Sequence, residues 1–192
     1  MKLLISISSN SLVIVNALSP RETVSEVVLK AASTFIQNMK KQFPLPTKKF
    51  KGIVFKRINT ANYDQDDAQI RLPIFNMDKS LEQVDALVDE GHGIEGKKDS
   101  ALAYGFLGLL VHEYGHHLNS YIVMSAKKKP ILQDEWFACK KKLEKELGPT
   151  SEYSKKNTGE WFAERFVAEQ YNLVSKVLIP IINEYVVKVN TP

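Results

Sequence analysis

Residues 101–121 narrow what this chain can become more than any other stretch. An apolar run, Ala101, Leu102, Ala103, Tyr104, Phe106, Leu107, Leu109, Leu110 and Val111, leads directly into His112-Glu113-Tyr114-Gly115-His116. Such a run predicts a helix buried on most of its sides. On that helix His112 and His116 stand one turn apart on one face, about 6 Å along the axis, and Glu113 lies about 100° round from His112. Packing alone gives so apolar a helix no use for two imidazoles and a carboxylate, and burying them unpaired would be costly. The pattern H-E-x-x-H does supply a use. Two imidazoles one turn apart can hold a zinc ion, and the carboxylate beside them can take a proton from a water the metal activates.

Composition sets the frame for this helix. With 192 residues the chain is expected to form a single domain, 1–192, with a substantial core. An apolar content of 44% and a charged content of 25% describe a globular protein. The net charge of +4 is spread out. Lysines form runs of three only at 127–129 and 140–142, both expected on solvated surface, and arginine occurs only at 21, 57, 71 and 165. Without a basic patch interleaved with aromatics, no nucleic-acid partner is expected. A single cysteine, Cys139, excludes an internal disulfide and a thiolate zinc cluster, and is expected to pack against a helix. No run reaches the roughly 18 apolar residues of a membrane span.

Residues 1–18 allow two readings. Residues 3–7 and 12–15 are rich in β-branched side chains and are joined by Ser8-Ser9-Asn10-Ser11, which suits a hairpin. A secretion signal ending near Val15-Asn16-Ala17 is the alternative. The polar cluster in the middle of the run favours the hairpin, and with it a cytoplasmic or particle-associated protein over a secreted one.

Ser19-Pro20-Arg21-Glu22 has the form of a capping box, and Val24, Val27, Val28, Ala31, Phe35 and Met39 follow at helical spacing. A helix is therefore expected to about residue 41, ended by Pro44 and Pro46. Residues 49–59 read as a strand and 59–67 as a polar loop. Residues 70–75 read as a second strand, which Pro73 assigns to a sheet edge. An edge beside the H-E-x-x-H helix would offer unpaired backbone groups to an extended polypeptide. Ser80-Leu81-Glu82-Gln83 starts a short helix to about residue 91. The glycine-rich loop after it carries His92, expected to be solvated rather than ligating. His117 falls off the ligand face and is expected beside the ligands or at the surface. Residues 131–147 form a further helix stopped by Gly148-Pro149, and the helix holding Glu164 is expected to run on through Leu178 to Pro180.

A catalytic zinc takes three protein ligands and keeps one position open. The metzincin pattern, with a third histidine six residues beyond His116, is excluded because Ile122 stands there and Asn119 replaces the required glycine. A carboxylate from a later helix is the alternative. In residues 157–164 Asn157 can cap a helix on which Glu160 and Glu164 stack one turn apart. One of the two can bind the metal while the other fixes an imidazole tautomer. Glu160 could equally be only the carboxylate of a capping box.

Together these blocks resemble a known family. His-Glu-Tyr-Gly-His, then Tyr153 seven residues before Glu160, then Glu-Trp-Phe-Ala-Glu-Arg-Phe, is similar to the catalytic domain of anthrax lethal factor and the clostridial Pro-Pro endopeptidases. Their blocks read His-Glu-Phe-Gly-His and Tyr, six residues, Glu-Phe-Phe-Ala-Glu-Ala-Phe. The resemblance spans residues 49–173, with Tyr114, Trp161 and Arg165 as departures. It implies a zincin-like α+β fold, with a small twisted sheet whose edge strand lies over the H-E-x-x-H helix and a helical C-terminal half. It also implies one zinc ion per chain on His112, His116 and Glu160, with Glu113 as general base. Tyr153 would steady the oxyanion and Glu164 would hold a ligand imidazole. The expected activity is that of a zinc metalloendopeptidase on a polypeptide substrate. A catalytically silent module of the same fold within a larger assembly is the alternative.

Overall fold

The computed structural model describes residues 2–6, 12–16, 23–74, 77–89 and 104–192. In chain order its elements are strands β1 (Lys2–Ser6) and β2 (Leu12–Asn16), helices α1 (Glu26–Gln42) and α2 (Pro44–Lys49), and strands β3 (Gly52–Lys56), β4 (Asn62–Asp64) and β5 (Gln69–Pro73). Helices α3 (Leu81–Asp89), α4 (Gly105–Ser125), α5 (Pro130–Leu147), α6 (Thr158–Gln170) and α7 (Leu178–Asn190) follow. The architecture is α+β, with a small sheet from the first part of the chain and helices throughout the rest.

Strand order in the sheet is β1-β2-β3-β5-β4. β1 pairs antiparallel with β2, β2 and β3 run parallel, β3 and β5 run parallel, and β4 returns antiparallel along β5. Ile53, Val54 and Phe55 of β3 are all buried, the continuous apolar run of a strand covered on both faces. β5 instead buries Ile70 and Leu72 and leaves Arg71 between them half exposed.

The sheet edge differs from expectation. β5 lies inside, and the edge beside α4 is the three-residue β4, from a stretch read as loop. Pro73 ends its strand opposite Lys56, whose carbonyl takes the N–H of Ile74 at 2.8 Å, so that bond asks no donor of the proline. β4 exists because the chain doubles back at once. Asp64 Oδ1 accepts from the N–H groups of Asp66 at 3.0 Å and Asp67 at 3.1 Å. Arg71 then reaches both Asp64 and Asp67 across the hairpin.

Several helix ends also differ. α1 is capped by Ser25, whose hydroxyl accepts from the Val28 N–H, and the Ser19–Glu22 cap lies outside the described residues. Ser25 N–H donates to Met77 O at 2.7 Å, a tertiary bond that holds the start of the helix at this place. The buried face accordingly runs through Val28, Ala32, Phe35, Ile36 and Met39, while Val24 precedes the helix and Val27 is half exposed. Pro44 opens α2 rather than closing a segment, because proline fits a first turn, where its missing N–H has no partner to lose. Pro180 lies in the first turn of α7 for the same reason. The chain between α6 and α7 turns at Asn172, with φ 56°, instead of running on helically. Buried Glu169 manages that corner, accepting from Arg165 Nε at 2.9 Å and from the N–H groups of Leu178 at 2.8 Å and Ile179 at 2.9 Å.

α4 is the axis of the molecule. Phe106, Leu110, Tyr114, Leu118 and Ile122 recur every four residues and are completely buried, each worth about 1.5–3 kcal/mol of transfer free energy. Asp85 of α3 caps the N-terminus of α4, accepting from Phe106 N–H at 2.8 Å, beside Gly105 at φ 58°. Among the described residues no helix is long and apolar enough to cross a membrane.

A candidate metal centre between two helices

Helix α6 crosses α4 at Gly115, where a Cβ would stand 3.0 Å from the Ala163 Cα. This approach brings the first turn of α6 over the two histidines of α4. Asn157 caps α6 by accepting from Glu160 N–H at 3.0 Å. The Glu160 carboxylate turns to the imidazoles: Oε2 lies 3.0 Å from His112 Nε2 and 3.4 Å from His116 Nε2. The two Nε2 atoms are 3.2 Å apart. His112 is buried, His116 and Glu160 are half-buried, and their ligand atoms all lie within 4.8 Å of one another. The group could hold a metal ion.

Protonation supports that reading. Glu164, one turn beyond Glu160, places Oε1 2.7 Å from His112 Nδ1, and its Oε2 accepts from Ser151 Oγ at 2.9 Å. A carboxylate at Nδ1 takes that nitrogen's proton as its hydrogen bond, so the His112 lone pair is on Nε2, facing Glu160 and His116. Electron-rich atoms at 3.0–3.4 Å repel unless a cation, a proton or a metal ion, lies among them. A proton on the imidazoles is one such cation: burial alone would raise the Glu160 carboxyl, but hydrogen bonds and charge from protonated His112 and His116 hold it well below the usual carboxylate range.

Glu113 is buried beside this group and, with His116, Glu160 and Tyr153, lines a cavity of about 480 Å³. Tyr153 sits in a single 3₁₀ turn, Tyr153–Lys155. Ser151 and Ser154 brace that turn: Ser154 N–H donates to Ser151 Oγ at 3.0 Å, and Ser154 Oγ donates to Ser151 O at 2.6 Å. The Tyr153 ring centroid is 5.8 Å from that of His112. Burial, with the negative charges of Glu160, Glu113 and Glu164, pushes the phenol up to about 12. It therefore remains a hydrogen-bond donor at neutral pH.

The structure thus brings together His112, Glu113, His116, Tyr153, Glu160 and Glu164. His117 is not at the surface: it is buried among Phe50, Tyr63 and Tyr114. Its Nε2–H donates to Pro46 O at 2.9 Å, and its Nδ1 accepts from Tyr63 O–H at 3.0 Å. Burial, only partly opposed by the Pro46 bond, lowers its pKa to about 4 and keeps it neutral. Lys140, expected on solvated surface, is buried and donates to Asn119 Oδ1 at 2.7 Å. Arg165 directs its charge to Glu169. His92 lies outside the described residues. Ser151 carries no local sequence signal, because its role depends on a 13-residue return to Glu164.

Comparison with protein-family models, curated proteins and solved structures gives no match to this chain.

Proposed function

We propose that the protein is a zinc-dependent endopeptidase with His112, His116 and Glu160 as metal ligands. The carrying observation is that these three side chains converge while Glu113 and Tyr153 face the same cavity. The donor separations of 3.0, 3.2 and 3.4 Å suit tetrahedral zinc, whose ligand atoms at about 2.0–2.1 Å stand about 3.3–3.4 Å apart. The resemblance of the two sequence blocks to the lethal factor and Pro-Pro endopeptidase family supports the same reading.

When bound, zinc supplies Lewis acidity that polarises a carbonyl and acidifies water. The chain's own residues do the rest. Glu164 holds the His112 ring in the tautomer that presents Nε2 to the cavity. Glu113 takes a proton from the attacking water and passes it to the leaving amine. Tyr153 O–H donates to the oxyanion as it develops, where a fixed donor helps most. The outer edge of β4 borders the cavity through Asn62 and Tyr63, so an extended polypeptide can add there as a further strand.

Metal analysis is expected to find about one zinc per chain. Glu113→Gln should retain that zinc and lose hydrolysis of a diverse peptide library. Full turnover by Glu113→Gln, or protein purified without any bound metal and unable to take up zinc, would remove the proposal.

A further inference from the structure

The cavity extends well past the metal-binding group. On α4 the positions 112, 116, 119 and 123 fall within about 60° of arc, so Asn119 and Val123 continue the strip begun by the two histidines. Phe137 of α5 forms a wall on this side and Gln65, beyond β4, borders the same cavity. The walls combine polar and apolar side chains in nearly equal measure, with Val123 and Phe137 as the large apolar ones, and the floor has a polar group of fixed orientation.

That group is Asn119. Its Oδ1 accepts from Trp136 Nε1 at 3.1 Å and from Lys140 Nζ at 2.7 Å. Indole and ammonium nitrogens only donate, so the oxygen has to face them and the amide cannot flip. Trp136 and Lys140 are themselves buried. The Nδ2 group, with two hydrogens, is left on the other side, and none of the described residues accepts from it. It belongs to a half-buried residue that lines the cavity. The Lys140 ammonium, directly behind the amide, adds positive potential from the same direction.

We infer that this extension is a specificity pocket for a side chain carrying a hydrogen-bond acceptor, a carboxamide or a carboxylate, and that Asn119 Nδ2 is the donor that selects it. Phe137 and Val123 enclose the methylene stem, and Lys140 and Trp136 act as positioning residues that hold the amide. In placing that side chain next to the cleaved bond we rest on the peptidase reading above.

Zinc-loaded protein and four peptide hydroxamates separate the two. The hydroxamate anchors on the metal, and the compounds differ only in the adjoining side chain: Asn, Asp, Leu or Lys. Calorimetry is expected to show the Asn or Asp compound binding about tenfold tighter than the Leu compound, the yield of one net hydrogen bond. Asn119→Leu should abolish that preference. Asn119→Asp keeps an oxygen for Trp136 and Lys140, so the packing beneath it is retained, yet it replaces the donor by an acceptor and should turn the preference toward Lys. A Leu compound that binds as tightly as both acceptors, an unchanged order in Asn119→Asp, or no binding by any compound would overturn the pocket. Acceptor preference in a protein that cleaves no peptide would uphold the pocket and sink the peptidase reading. Cleavage without that preference would do the reverse.

Discussion

Gly115 and Ala163 meet where α4 and α6 cross, and a Cβ on Gly115 would lie 3.0 Å from the Ala163 Cα and 3.4 Å from Phe166 Cδ1. The glycine inside the His112–His116 motif therefore has a structural reason of its own. It lets α6 lie close enough for Glu160 and Glu164 to reach the imidazoles. Gly115→Ala would gain up to about 1 kcal/mol of helix propensity. Against this stands overpacking onto backbone, which costs about 1–3 kcal/mol. The variant is expected to have a lower Tm and weaker metal retention against a chelator, because α6 carries Glu160 away as it shifts. Wild-type values for both would show that the crossing is not tight.

Ser151 acts on the site at one remove. Its hydroxyl donates to Glu164 Oε2, and Glu164 Oε1 holds His112 Nδ1. Ser151→Ala removes one donor from a buried carboxylate, at a cost of about 1–3 kcal/mol in stability. Loss of a group bonded directly to a ligand, as Glu164 is to His112, typically lowers metal affinity about 10–100-fold, and Ser151, one bond further out, is expected to have a smaller effect in the same direction. Chelator competition should therefore show faster metal loss in Ser151→Ala and its restoration in Ser151→Thr, which keeps a hydroxyl. Equal affinity in all three proteins would assign Ser151 to folding of the 3₁₀ turn alone.

What the sequence disclosed and what it hid divide by the range of the interactions. The Asn157 cap, the Ser80–Gln83 box and the four-residue pairs on α4 and α6 rest on neighbours within one turn, and each is present in the structure. The start of α1 at Ser25, by contrast, depends on Met77, more than 50 residues on. β4 was hidden because three polar residues form a strand only when β5 supplies the partner. His117 looked peripheral because Pro46 and Tyr63, the partners that bury it, lie 71 and 54 residues away. Pro180 suggested an end and marks a beginning, since the same missing N–H suits either side of a helix boundary.

Tyr153 lines the cavity as a protonated phenol, pushed up to about 12 by burial and by three nearby carboxylates. If it donates to the oxyanion, Tyr153→Phe should lower kcat by about 10²–10³-fold with little change in KM, because the bond strengthens only in the transition state. Zinc content should not change. A raised phenol pKa also fixes the sign of a pH effect. Tyr153 stays a donor until the pH approaches that value, so no loss of rate near neutrality should be traceable to its ionisation. An alkaline limb near neutral pH that disappears in Tyr153→Phe would contradict this.

Lys140 offers a test away from the metal. Burial lowers its pKa from 10.5 to about 8, partly offset by the charge of Glu144. At pH below about 8 both folded and unfolded chains carry the ammonium, and the folded one bears the desolvation cost. Between that value and 10.5 the unfolded chain binds the proton that the folded chain has released. The unfolded state then holds more protons, so stability rises with pH through this window, by roughly 3 kcal/mol at about 1.4 kcal/mol per unit. Lys140→Met, similar in volume and uncharged, should remove that rise, although Asn119 Oδ1 loses one of its two donors. Urea unfolding of both proteins from about pH 7 to about pH 11 isolates the effect as the difference between two curves. Parallel curves would mean that the Lys140 ammonium is as well solvated in the folded protein as in the unfolded chain.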